Sequence, residues 1–140
     1  MGFSLIDAKE KFLKLLDFSA RREAKYCAWE KQAQAGDLET IYRLIALYPT
    51  VDEKFYPLVF KWTLDQAYKG EDCRILRQAA QMLENGHGTA PDAQQALTWY
   101  ERALSLHIMQ GANSPFSLEE ENDLQQSIQQ LRRQICPEEN

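Results

Sequence analysis

The chain has no apolar run long enough to cross a bilayer. Charges at Asp7, Lys9, Glu10 and Lys11 interrupt the N-terminal residues, so neither a membrane-spanning helix nor a secretory leader is read there. Gly2 is followed by Ile6 where an N-myristoylation pattern needs Ser or Thr. Cysteine is scarce: Cys27, Cys73 and Cys136 are odd in number and lack metal-ligand spacing. They read as two packing residues (Cys27, Cys73) and a tail thiol (Cys136) in a reducing, cytoplasmic compartment. Excess basic charge is also missing. The formal net charge is −5, which argues against nucleic acid as a partner, because phosphate binding needs a basic surface. Residues 1–35 carry +2 and the remainder −7, a split that reads as solvated helix faces rather than a docking arm.

What is present favours helix. The 140 residues suit a single domain, residues 1–140, able to bury a core without metal or disulfide, and the 44% hydrophobic and 26% charged fractions are those of a globular protein. Glycine and proline are few, while Ala, Leu, Gln, Glu, Lys and Arg are frequent. Apolar residues recur at three- and four-residue spacing, with no convincing alternating strand. Leu5, Phe12, Leu13, Leu15 and Leu16 line a first helix capped by Ser4. Asp17-Phe18-Ser19 offers a break before a second helix over 20–35 bearing Ala24, Cys27, Ala28 and Ala35; one long bent helix is the alternative.

A third helix runs from about Leu38 to Tyr48, where Pro49 stops it. A fourth starts at Glu53 or Tyr56, with Pro57 tolerable only in the first turn, and runs to Lys69. The fifth covers 72–84 and ends at Asn85-Gly86-His87-Gly88. The sixth opens at Pro91-Asp92 and reaches Met109. Gly111 to Pro115 is a loop. Ser117 and Glu120 then form a capping box for a last helix whose apolar seam is Leu118, Leu124, Ile128, Leu131 and Ile135. The expected class is all-α, with six or seven helices.

The helices also repeat. Gly36-Asp37 and Gly70-Glu71 lie 34 residues apart, and Trp62 and Trp99 lie 37 apart, each on the second helix of a pair. Residues 36–70 and 71–110 therefore read as two helical hairpins, flanked by helices in 1–35 and by a C-terminal cap in 117–136. The second hairpin carries Ala79-Ala80, Leu83, Gly86-His87-Gly88, Asp92, Gln95-Ala96 and Trp99-Tyr100-Glu101-Arg102-Ala103. In these residues the chain resembles the Sel-one-like repeat, a relative of the tetratricopeptide repeat. The first hairpin is a degenerate copy that keeps Gly36, Leu44, Tyr48 and Trp62 but lacks the turn glycines. The resemblance implies a helical-hairpin solenoid, an α-α superhelix, that acts by binding other proteins as an adaptor or scaffold, often in bacteria. The roles of the matched residues are structural. Ala80 and Ala96 permit close helix approach, Gly86 and Gly88 supply positive φ, and Trp99 and Tyr100 bury aromatic area.

Chemistry is hard to assemble from the remainder. His87 sits between glycines with no Cys or His at ligand spacing, so no metal and no cofactor are expected. His107, late in its helix, reads as a satisfied histidine. Glu119-Glu120-Glu121 sits in a first helical turn, where negative charge is stabilising. No nucleophile with a base stands out, and no enzyme is expected. The aromatic residues read mostly as core, with any the core does not need left to anchor a partner. Subtracting the expected core (Thr40, Leu44, Ile45, Tyr48, Ile75, Ala79, Ala80, Leu83) from the first helices of each hairpin leaves Glu39, Arg43, Ala46, Leu47, Arg74, Arg77, Gln78 and Gln81, of which the candidates are Arg43, Leu47, Arg74, Arg77, Gln78 and Gln81. These form an expected concave-face site, with the arginines as a basic strip facing an acidic segment of a partner. The function expected is thus non-enzymatic binding of one cognate protein, such as a toxin-neutralising immunity protein or a secretion adaptor. The alternative is self-association, possible as a homodimer through the Leu118–Ile135 seam.

Overall fold

A computed structural model describes residues 24–25, 27–48, 50 and 53–137. The helix expected over residues 5–16 and the break at 17–19 lie outside these residues. Among those described there is no strand, and no helix is long and apolar enough to cross a membrane. The fold is all-helical. The chain divides between Arg43 and Leu44 into two compact units.

In the first unit, residues 24–25 and 27–34 are helical and Gly36 turns the chain into the helix α1, Leu38–Ala46. Asp37 accepts a hydrogen bond from the Thr40 hydroxyl, 2.8 Å away, and Thr40 and Ile41 are buried. The small apolar face expected at Ala24, Cys27, Ala28 and Ala35 is corrected here: all four are exposed, and the buried residue is Ala33. Cys27 is therefore a surface thiol rather than a packing residue. Alanine and cysteine are small enough that exposure costs each of them little, so spacing alone does not fix their side of a helix.

The second unit takes the last turn of α1 and adds α2 (Tyr56–Ala67), α3 (Cys73–Asn85), α4 (Ala93–Gln110) and α5 (Leu118–Ile135). A single 3-10 turn, Glu53–Phe55, leads into α2, so Pro57 falls in the first turn, where its missing N–H costs nothing. Local chemistry sets the other ends. The Asp72 and Asp92 side chains accept the amides of Arg74 and Gln95 at the starts of α3 and α4. Ser117 and Glu120 form the reciprocal box that opens α5. α1 stops at Ala46, two residues before the expected end, and leaves Tyr48 in the turn that follows.

Consecutive helices of this unit run antiparallel, as side-chain pairings show. Thr63 meets Gln78 between α2 and α3, and Tyr56 at the start of α2 meets His87 just past the end of α3. Cys73 approaches Gln110 and Glu84 meets Tyr100 between α3 and α4. His107 meets Glu121 and Glu101 meets Arg132 between α4 and α5. The core these pairs enclose includes Leu44, Val59, Trp62, Leu76, Met82, Trp99, Tyr100, Leu124 and Leu131. Ala79, Ala80, Ala96 and Ala103 have no exposed surface at all, so α3 and α4 meet through small side chains. The buried Trp62 Nε1 finds no acceptor among the described residues.

The turn between α3 and α4 is the most constrained point. Gly86 caps α3 at φ +71°, its amide donating to Met82 O, and the Asp92 amide donates to Leu83 O to bring the chain back. Gly88, at φ +83°, lies so close to α2 that a Cβ there would sit 2.3 Å from Tyr56 O. Between the two glycines His87 stacks on Tyr56, ring centroids 4.5 Å apart, and its Nδ1 lies 3.1 Å from the Tyr48 hydroxyl. His87 is thus a wedge between neighbouring helical elements, and Gly88 is the notch that lets the turn approach them.

Candidate functional site

Arg43 lies in the first unit and pairs with Glu39 one turn earlier, both side chains well exposed. The other five residues of the expected concave face lie in the second unit. Arg74 folds back on its own helix cap: its Nη2 is 3.0 Å from Asp72, whose bond holds the guanidinium pKa above its ordinary value. Arg77 reaches α5, with Nη1 2.9 Å from Glu120 Oε2, and lies over the Phe116 ring at 4.5 Å. Gln78 is half-buried and donates from Nε2 to Ile45 O at 2.7 Å and to Thr63 Oγ1 at 3.2 Å, joining α1, α2 and α3. Gln81 and Leu47 are half-buried. Every arginine of the expected strip already has a carboxylate within the chain. A partner's acid would have to displace those pairs, and Arg77 in particular serves the α3–α5 contact.

That contact is built around Phe116, a buried loop residue that the helical pattern gave no reason to single out. Beside it, His107 Nδ1 is hydrogen-bonded to Ser114 Oγ at 2.5 Å, and His107 Nε2 lies 3.5 Å from Glu121. A serine, a histidine and a glutamate in line resemble a nucleophilic relay. Here, however, Ser114 Oγ also accepts the Phe116 amide at 3.3 Å and lies 3.7 Å from Cys73 Sγ. A hydroxyl engaged on three sides fixes the loop after α4 onto α3 and α4. Burial raises the Cys73 thiol pKa, so it stays protonated and unreactive at neutral pH. Burial, followed by the adjacent Glu84 carboxylate, likewise pushes the Tyr100 phenol far up, and Tyr100 serves as a neutral donor to Glu84 at 3.1 Å. Among the described residues no group of three or more His, Cys, Asp and Glu is placed to hold a metal ion.

The Arg77 hydrogen bond, aided by the Ser117 amide, holds the Glu120 carboxyl below the usual carboxylate range. A lowered folded-state pKa contributes stability that is present above the unfolded carboxylate value and lost as pH falls through the lowered one. The Glu120→Gln variant should therefore melt below the parent at neutral pH, with the gap closing on acidification through the carboxylate range. Thermal melts at stepped pH check this, and a gap that persists in acid would show that the Glu120 charge contributes nothing.

The seam of α5 needs one correction. Leu124, Ile128 and Leu131 are buried and Ile135 half-buried, but Leu118 is 73% exposed. At about 100° per residue Leu118 falls roughly a third of a turn from the line of the other four. Three of the five seam residues, Leu124, Ile128 and Leu131, are thus buried within the chain.

Two further large apolar side chains stand in solvent elsewhere. Tyr68, just past α2, is 69% exposed, and Met109, at the end of α4, is 79% exposed. Both border an open groove of about 490 Å³ whose floor includes Ala67, Leu76 and Trp99. The Tyr68 ring stands edge-on to Trp99 at 5.0 Å, and the Arg102 guanidinium lies 4.8 Å from the centre of the same indole. Tyr68 was read with the core-forming aromatics; it follows the last turn of α2, beyond the face that the core covers. Trp99 was singled out as a packing residue, and it is one, yet its margin also forms the groove.

No protein-family model matches the chain, and no curated protein or solved structure matches it.

Proposed function

We propose that the protein is a non-enzymatic binding module for another protein, and that the groove bounded by Tyr68, Trp99, Arg102 and Met109 is its contact surface. One observation carries this: two large side chains stand mostly in solvent on either side of an aromatic-floored groove. Exposing such side chains costs free energy that a partner recovers on binding. Tyrosine, tryptophan and arginine are the residue types that dominate interface energetics, and methionine adapts its shape to an incoming surface. The arginines of α3, by contrast, are already satisfied.

Three packed helices, α2, α3 and α4, contribute the groove residues and support the surface. The resemblance of residues 71–104 to the Sel-one-like repeat supports the same reading, and repeats of that kind stack into a superhelix that presents such surfaces. The small size and eroded first hairpin suit one dedicated partner, as in a toxin-neutralising immunity protein or a secretion adaptor, acting in the cytoplasm.

Tyr68→Ser combined with Met109→Ser tests the surface, because both side chains are mostly exposed. Wild-type and double-variant baits with the same circular dichroism are used to retrieve partners from the native host, and each candidate is then purified and titrated. The double variant should bind the cognate protein at least about 30-fold more weakly, the scale of an interface hot spot. A purified partner that binds both baits equally would refute the placement.

A further inference from the structure

The groove specifies what kind of segment fits it. Along α4 its lining residues include Thr98, Arg102, Ser105 and Met109, spaced four, three and four apart, so these four form one stripe along the helix. This stripe spans about 16 Å, three helical turns at ~1.5 Å per residue. Its walls are the end of α2 with the turn that follows it, α3 and α4, so the groove presents no sheet edge. A segment lying there must satisfy its own backbone, which an α-helix does and an extended strand cannot.

Polarity fixes a second property. Among the described residues Arg102 lies in no ion pair, unlike Arg43, Arg74, Arg77 and Arg132. Its guanidinium is held over Trp99, exposed, with its donors directed at nothing in the described chain. The neighbouring groove acid, Glu101, is neutralised by Arg132 at 3.3 Å. At this spot an otherwise acidic protein offers an uncompensated cation beside apolar side chains. A carboxylate can accept two parallel hydrogen bonds from such a group.

We infer that the Tyr68–Met109 groove takes an amphipathic α-helix of a partner protein, with apolar side chains on one face and a glutamate or aspartate set to meet Arg102. This rests on the proposed binding function and adds the shape and charge of the guest.

The test is a displayed library of capped 16-residue helices, with Leu or Phe fixed at i, i+4 and i+7 and each remaining position drawn from Glu, Gln and Lys. Selected on the full-length protein, the library should enrich glutamate at one fixed offset from the apolar face. Synthetic versions of the enriched helices should bind about tenfold more tightly than their Gln counterparts, the scale of one charge-assisted contact. That preference should vanish in Arg102→Gln, while Tyr68→Ser should remove binding altogether. An enrichment of lysine, no enrichment, or a glutamate preference that survives Arg102→Gln would overturn the inference. If selected helices lose binding in Tyr68→Ser but show no acid preference, the contact surface stands and the acidic guest does not. Helices indifferent to both substitutions would remove the surface as well. Light scattering that shows a dimer dispersed by Tyr68→Ser would instead assign the groove to a second copy of the chain, again overturning the inference.

Discussion

Gly88→Ala should lower the melting temperature by roughly 10–20 °C, reflecting a loss of about 3 kcal/mol. Two costs combine. The residue holds φ +83°, where a Cβ costs about 1–2 kcal/mol in any protein. The added carbon would also lie 2.3 Å from Tyr56 O, 2.6 Å from Tyr56 C and 2.9 Å from Phe60 Cβ. Two of these atoms are backbone, so relief requires the turn to move away from α2 and to pull His87 off Tyr56. Gly70→Ala is the control. It has a similar φ of +67° but nothing within 4 Å of the added carbon, so only the conformational cost of about 1 kcal/mol should appear. Paired thermal melts decide the matter, and equal losses at the two sites would mean that the turn does not press on α2.

Ala80→Leu should cost about 2 kcal/mol by urea unfolding, and Ala96→Leu a similar amount. Neither alanine has any exposed surface, and they lie on the two helices of the hairpin that packs most closely, α3 and α4. An isobutyl group there has no void to fill, so it must push the helices apart or twist out of its preferred rotamer. Ala90→Leu, at an exposed position between α3 and α4, should change stability by no more than about 0.5 kcal/mol. If Ala80→Leu proved as stable as the parent, small side chains would not be setting the spacing of these helices. The expected compensation is a loss of groove geometry as well, since Leu76 and Trp99 share the same two helices.

The elements legible in the sequence are those set by neighbours in the chain. Asp72, Asp92 and Ser117 cap their helices because each side chain reaches an amide two or three residues on, and the sequence spacing determines that reach. Gly86 and Gly88 were readable for the same reason, since a tight turn after a helix needs positive φ. Buried Ala80, Ala96 and Trp99 followed from the repeat-like pattern of residues 71–104, whereas spacing alone misplaced Ala24, Ala28 and Ala35. Leu118 shows the limit of that approach. It fits an apolar list, yet its position around the helix axis separates it from Leu124.

The candidate site was only half visible. The sequence marked Arg74 and Arg77 as charges left over from the core. It could not show that Arg77 meets Glu120, forty-three residues later, or that Arg74 turns back to Asp72. It also held Tyr68, Trp99, Arg102 and Met109, with no sign that the end of α2 lies beside α4.

Periodicity and capping by themselves determined that this chain forms helices and roughly where each begins and ends. These are consequences of steric and hydrogen-bonding rules that act within a few residues. That Arg74 and Arg77 are spent while Arg102 has no ion pair among the described residues, and that Tyr68 is left in solvent, were decided by tertiary structure alone. Ion pairing and burial depend on the side chains that converge in space, and residues many turns apart in sequence supply them.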